Sequence, residues 1–259
     1  MAILMNQRVL TVIMIGLVMI CILACDSNAS NLLNGSFESP AIPINSYQFG
    51  TPSSWSWSSS TGIIFNGTVF NPVEGSNWPS PMDGEQYIDI GNVSTFSLSQ
   101  TFAITSKGPY QLTWYDNAHS SGLTSPYSVS IINGSQQIVA TMSFDAAHGG
   151  VWQNRVLLVT LDPGTYTVVY MATGDFQGFD TLIDHVTFVY ICGDANGDGK
   201  INVGDAVFLI NYVFKNGPEP NPKCAGNTNG DASVNVGDAV YLINYVFKGG
   251  PAPITNCCQ

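Results

Sequence analysis

Between residues 31 and 191, apolar and polar positions alternate in short runs broken by Gly, Pro, Asn and Ser. In Tyr110-Gln111-Leu112-Thr113-Trp114 the apolar members fall on one face, the period of two expected of a half-buried strand. The same alternation predicts strands over 86–90, 96–103, 110–115, 127–132, 138–144, 156–161, 165–172 and 182–190. Asn133-Gly134 between two of these runs predicts a hairpin, and Asp162-Pro163-Gly164 a tight turn. No convincing amphipathic helix precedes residue 204. Many short strands at this spacing predict a β-sandwich of jelly-roll type, so the fold class is mainly β.

Beyond residue 191 the pattern changes to two nearly identical thirteen-residue runs, Val203–Lys215 and Val236–Lys248, which differ only where Phe208 becomes Tyr241. Asn216-Gly217-Pro218 and Gly249-Gly250-Pro251 follow them as helix stops. Both helices are apolar almost all round. A pair this small buries one face of each, which leaves apolar surface for a partner. A loop of alternating oxygen-bearing residues precedes each helix. Asp194, Asn196 and Asp198 stand at loop positions one, three and five, Gly199 at the sharp turn, the Lys200 carbonyl at seven, Asn202 at nine and Asp205 at twelve. Hard oxygen ligands at this spacing wrap Ca²⁺, because alternate residues of a tight loop point inward. The second copy repeats the positions with Asn227, Asn229, Asp231, Ser233 (carbonyl), Asn235 and Asp238, so two Ca²⁺ ions are expected. Asn227 carries no charge at position one, and Ala232 replaces the turn glycine, so the first site is expected to bind more tightly.

Charge narrows the partners. With 18 acids against 7 bases, a net −11, the 259-residue chain lacks the basic footprint of a nucleic-acid binder and suits calcium and neutral glycans. Residues 1–29 read as a signal peptide: a single Arg8, then an apolar stretch from Val9 to Ala24 of signal-segment length. Two exits are open, ordinary cleavage at Ser27-Asn28-Ala29 or a lipobox at Ile22-Leu23-Ala24-Cys25, where a lipid on Cys25 would be the only tie to a membrane. Either way the chain is expected outside the cytoplasm, secreted or at the cell surface. Cys192, Cys224, Cys257 and Cys258 lie outside the metal loops, which favours disulfides over zinc; spacing leaves their three pairings open. His119, His148 and His185 are scattered, no Gly-x-Ser-x-Gly elbow occurs, and no acid sits in a recognisable catalytic phrase.

Within the module of 192–259, the tandem loop–helix pattern of about 192–253 resembles a type I dockerin, the calcium-dependent plug for a cohesin module on a scaffold protein. The resemblance implies partner contacts from Val203, Gly204, Ile210, Asn211 and Lys215, with Val236, Gly237, Ile243, Asn244 and Lys248 in the second copy. Val-Gly stands where dockerins usually carry a hydroxyl pair, so the partner is expected to differ from a standard cohesin. Dockerin ends tend to lie together, which implies a disulfide from Cys192 to the tail.

The phrases Asn31-Leu-Leu-Asn34-Gly35-Ser36-Phe37-Glu38, Gly84-Glu-Gln-Tyr87-Ile-Asp89-Ile and Leu182-Ile-Asp184-His-Val186 resemble galactose-binding-like, carbohydrate-binding jelly rolls, over 30–191. That resemblance implies a structural calcium between Glu38 and Asp184. It also implies a sugar platform among the loop tryptophans Trp55, Trp57, Trp78 and Trp152, each of which could equally cap the sandwich edge. The expected function is that of a secreted, non-catalytic component of a polysaccharide-degrading or surface assembly. A dockerin-bearing glycoside hydrolase or lyase, and a matrix or adhesion protein, are the alternatives.

Overall fold

The computed structural model describes residues 31–58, 63–67, 70–71, 76–77, 79–90, 97–118, 126–146, 151–173, 181–255 and 257. The leader with Cys25, and also Trp78 and Cys258, lie outside them. Among the described residues no helix is long and apolar enough to cross a membrane.

The strands are β1 (Ser46–Phe49), β2 (Ser56–Trp57), β3 (Ile63–Asn66), β4 (Phe70–Asn71), β5 (Ser76–Asn77), β6 (Gln86–Asp89), β7 (Ser97–Ile104), β8 (Gly108–Ala118), β9 (Pro126–Asn133), β10 (Ile138–Asp145), β11 (Gln153–Leu161), β12 (Gly164–Ala172) and β13 (Thr181–Tyr190). They form a six-stranded sheet in the order β1-β3-β6-β13-β8-β11, a five-stranded sheet β10-β9-β12-β7-β2, and a β4-β5 ribbon. All the pairings are antiparallel, and the two large sheets pack as the predicted sandwich. Period-two burial in β7, β8 and β9 supplies its inner layer, with Leu98, Phe102, Leu112, Trp114, Val129, Ile131, Val168 and Phe188 in one cluster.

Each of the eight predicted runs is a strand. The short β1 to β5 were not foreseen, because runs of two to four residues carry too little alternation to separate from loop. Asn133-Gly134 does start the β9–β10 hairpin. The residue that takes the left-handed conformation, however, is Gln136 (φ +63°), in a longer loop closed by Asn133 N–H donating to the Gln137 carbonyl. The Asp162–Gly164 turn carries the chain from one sheet to the other.

The predicted helices are α1 (Val203–Lys215) and α2 (Val236–Lys248), with a 3₁₀ turn (Lys223–Gly226) between them. Their buried faces are short and small, Ala206 and Leu209 against Ala239 and Leu242, with Ala195 completing a separate little core. Alanine at the crossing lets the two backbones approach closely. In the first copy the left-handed residue ending the helix is Asn216 (φ +53°), one residue before the expected glycine. Asn adopts this conformation more readily than other side chains because it can bond locally.

No spacer separates the sandwich from the helical module. β13 ends at Tyr190, Ile191 bridges to Thr255, Cys192 is disulfide-bonded to Cys257 as expected, and the first loop begins at Asp194. Cys224 is disulfide-bonded too. Cys192 and Ala225 belong to the sandwich's own core cluster, with Ile254 and Cys257 packed against it. The first loop lies on the sandwich: a Cβ added at Gly199 would come 3.1 Å from Thr160 Oγ1 of β11.

Candidate functional site

On the sandwich, Trp55 is 5% exposed, packs on Phe37 and Tyr170, and donates its Nε1–H to the Asn34 carbonyl. It is a core residue, which corrects the expectation of a sugar platform there. Trp57 packs against the same core and donates to the Gly50 carbonyl. Trp152, half-buried, sets its edge against Tyr87 and donates to the Ser80 carbonyl. Among the described residues of the sandwich, the aromatic rings that face solvent are Tyr47 and Phe49 of β1, which sequence reasoning missed. Their i, i+2 spacing was the available signal.

Glu38 and Asp184 both serve the 82–86 segment. Glu38 Oε1 accepts from Glu85 N and Gln86 N; Asp184 Oδ2 accepts from Met82 N and Asp83 N, and its Oδ1 from His185 N. Gly84 turns there at φ +60°, where a Cβ would come 2.3 Å from Glu38 Oε1. Burial raises the Asp184 carboxyl to about 8 against these stabilising amides.

In the helical module, loop and helix share residues. Asn202 is the N-cap of α1: its side chain accepts from Gly204 N at 2.6 Å, while Asp205 Oδ2 accepts from Asn202 N at 2.9 Å. Asp205 Oδ1 reaches back to Asn196 N. Asn235 and Asp238 repeat this box at α2, with Asp238 Oδ1 accepting from Thr228 N at 2.7 Å. Loop positions nine and twelve therefore start the helix and tie it to the loop's beginning.

The remaining oxygens are held by the loop's own amides. Asp194 accepts from Asp198 N and Gly199 N, Asn196 Oδ1 from Asp198 N, and Asp198 Oδ1 from Lys200 N. Asp194 and Asp205 are buried, and no ion pair among the described residues involves them or Asp198. Burial raises both carboxyls, Asp205 to about 6, and the neighbouring acids Asp194 and Asp198 add to the Asp205 shift. A cation among them would relieve both costs. Among the described residues no three His, Cys, Asp or Glu side chains gather into a metal set of their own, so a cation here would draw on Asn196, Asn202 and the Lys200 carbonyl as well. The residues fit calcium, a hard ion that accepts neutral oxygens.

Residues 192–247 match the family model for the dockerin type I domain. This segment is a type I dockerin. Dockerins of this type are calcium-binding, in keeping with the loop chemistry just described.

The dockerin's free surface is a stripe on each helix. Val203, Val207 and Phe214 are 44%, 51% and 65% exposed, and their counterparts Val236, Val240 and Phe247 are 43%, 51% and 65% exposed. With Asn211 and Asn244 they lie four, four and three residues apart, one side of a 3.6-residue helix. Of the expected contact residues, Val203, Val236, Lys215 and Lys248 are exposed, and Gly204, Gly237, Asn211 and Asn244 half-exposed. Ile210 and Ile243 pack against the dockerin's core. Val207, Phe214, Val240 and Phe247 were missed, since helices apolar all round do not say which side is covered.

Nothing among curated proteins matches the chain. Among solved structures it is similar to TmCBM61 in complex with β-1,4-galactotriose (TM-score 0.45, 13% identity, 63% of this chain and 99% of that one). A family 35 carbohydrate-binding module from Clostridium thermocellum gives 0.37 and 15%, over 55% of this chain and 97% of that one. Arabinose-bound MgGH51 α-L-arabinofuranosidase gives 0.40 and 13%, over 62% and 26%.

Proposed function

We propose that this protein is a secreted, non-catalytic component of a polysaccharide-degrading assembly of cellulosome type. In this reading the dockerin docks to a cohesin-like domain of a scaffold protein while the sandwich binds glycan. The observation that carries the docking half is the duplicated stripe. Three large apolar side chains per helix stand equally exposed in both copies, on helices whose first turns are made of loop residues. A partner that covers the stripe desolvates Phe214 and Phe247, worth roughly 1.5–3 kcal/mol for each ring fully buried. Calcium held by Asp194, Asn196, Asp198, the Lys200 carbonyl, Asn202 and Asp205, and by their counterparts in the second loop, fixes where each helix starts. Calcium binding and presentation of the stripe are then one event.

Secretion is supported by the Cys192–Cys257 disulfide, which suits an oxidising compartment. The non-catalytic reading is supported by the sequence, in which no acid sits in a recognisable catalytic phrase and no Gly-x-Ser-x-Gly elbow occurs. The test is a pull-down of the full chain on immobilised cohesin domains, with calcium and with EDTA. Retention in calcium and release in EDTA are expected, with Phe214→Ser/Phe247→Ser lowering retention at least tenfold. Retention that ignores EDTA would refute the coupling.

A further inference from the structure

Two hollows run together on the outer face of the six-stranded sheet. Leu112, Trp114 and Phe188 point into the core, so by the period of two Gln111, Thr113 and Thr187 face away from it. Over these three lies a cavity of about 630 Å³, closed at one end by Ser36, Asp83 and His185. A second cavity of about 780 Å³ extends over Leu158 and Thr160 of β11 to Lys200 of the first dockerin loop and Tyr245 of α2. Gln111 and Thr255 line both, which makes them one groove. Its floor belongs to the sandwich and its far wall to the dockerin. The Cys192–Cys257 disulfide and the Ile191–Thr255 bridge hold the wall against the floor.

The lining groups are open to a ligand. Asp83, Leu158, Thr160 and Lys200 are exposed, and Gln111, Thr113, Thr187 and Tyr245 are half-buried. Among the described residues, the side chains of Gln111, Thr160, Lys200 and Tyr245 make no hydrogen bond or ion pair. Position seven of the loop offers calcium its carbonyl, which leaves the Lys200 side chain to the groove. Thr113 and Thr187 share one hydrogen bond, Oγ1 to Oγ1 at 2.5 Å, so one of the two hydroxyl protons remains to donate elsewhere. At the closed end Asp83 Oδ2 accepts from Ser36 Oγ at 2.5 Å and pairs with His185 Nδ1 at 2.9 Å. These two contacts hold the Asp83 carboxyl below the usual carboxylate range. His185 stands at the bulge of β13 with φ +50°, a conformation that costs a residue with a Cβ and gathers at binding sites.

The chemistry of the lining selects a ligand class. Hydroxyls and an amide beside the apolar Leu158 and the Tyr245 ring suit a chain that offers both hydroxyl groups and C–H faces. A polyanion would lie against the carboxylates of Asp83 and Glu38, which line the same end. An extended peptide binds a sheet through a free strand edge, whereas β8 and β13 are paired on both sides.

We propose that sandwich and dockerin together build one glycan cleft, in which Gln111, Thr113 and Thr187 bind a neutral saccharide chain from the floor and Lys200 and Tyr245 from the dockerin wall. The proposal rests on the glycan-binding reading above and adds the dockerin to the binding site. It is tested by affinity gel electrophoresis of the full chain in calcium, with xylan, galactan, glucomannan or β-glucan cast in the gel. The wild-type chain is expected to be retarded by at least one of these. Gln111→Ala should weaken that retardation at least fivefold, and Lys200→Ala/Tyr245→Phe should weaken it several-fold. Melting temperatures should stay near that of the wild type, because none of the groups removed bonds within the fold. A loss in Gln111→Ala alone would place the glycan on the sandwich only and overturn the shared cleft. Undiminished retardation in both variants would overturn the site and leave the glycan-binding reading standing. If the wild-type chain is not retarded by any of the four, both fall together.

Discussion

The two loops of the dockerin begin from the same template and end in different surroundings. Positions nine and twelve close the same capping box, Asn202 with Asp205 in one copy and Asn235 with Asp238 in the other, and beyond the box Asp238 additionally takes Thr228 N where Asp205 takes only Asn196 N. Position one differs. Asp194 uses both carboxylate oxygens to take the amides of Asp198 and Gly199, whereas Asn227 offers one oxygen to Gly230. Position six differs as well, since Gly199 (φ +83°) and Ala232 (φ +66°) make the same left-handed turn and only glycine does so without strain. The first loop lies against β11 of the sandwich, while Gly230 of the second faces Ile254 of the tail. The lesson is that duplication preserved what starts a helix and let charge and setting diverge.

The strongest way to break this comparison is at position twelve. Asp205→Ala and Asp238→Ala each leave at least two amides without an acceptor, at about 1–3 kcal/mol apiece. Chemical denaturation in EDTA should show a loss in both variants, the larger in Asp238→Ala, whose carboxylate also takes the Asn229 amide. A larger loss in Asp205→Ala would overturn that order.

Calcium removal comes next. At a hundredfold excess over Kd, calcium adds about 2.7 kcal/mol per site. Because the first loop is seated on the sandwich and the two cores join through Cys192 and Ala225, EDTA should lower a single calorimetric transition of the whole chain. Two separated transitions, of which EDTA shifts only the smaller, would sever the sandwich from the dockerin.

A charge exchange sharpens the comparison further. Asn227→Asp should tighten the weaker calcium site by about tenfold, roughly 1.4 kcal/mol, and Asp194→Asn should weaken the stronger one by a similar factor. Isothermal titration of the wild-type chain should resolve two unequal sites, and equal sites there would remove the basis for the exchange. The smallest effect is steric. Ala232→Gly should raise stability by about 1 kcal/mol through relief of the left-handed alanine, where Gly199→Ala should lower it by more, since its Cβ also crowds Thr160.

Much of this protein was legible along the chain because the signals are local. Period-two alternation marked the long strands, alternate oxygen ligands marked the loops, and two nearly identical helices marked a repeat. Capping residues and turn glycines fall within a few positions of what they act on, so their chemistry can be read without a fold. The strands of two to four residues were not legible, because their partners, and not their own pattern, make them strands.

What only the tertiary structure decided is which apolar groups are covered. Trp55 and Tyr47 look alike as loop-region aromatics, yet Asn34, Phe37 and Tyr170 close over the first while edge strand β1 leaves the second in solvent. The helices are apolar on every side, and only their packing on each other singles out the stripe from Val203 to Phe214. The join of sandwich to dockerin depends on Cys192 meeting Cys257 across 65 residues. Burial is set by what comes to lie against a side chain from far along the chain, and no short window of sequence contains that information.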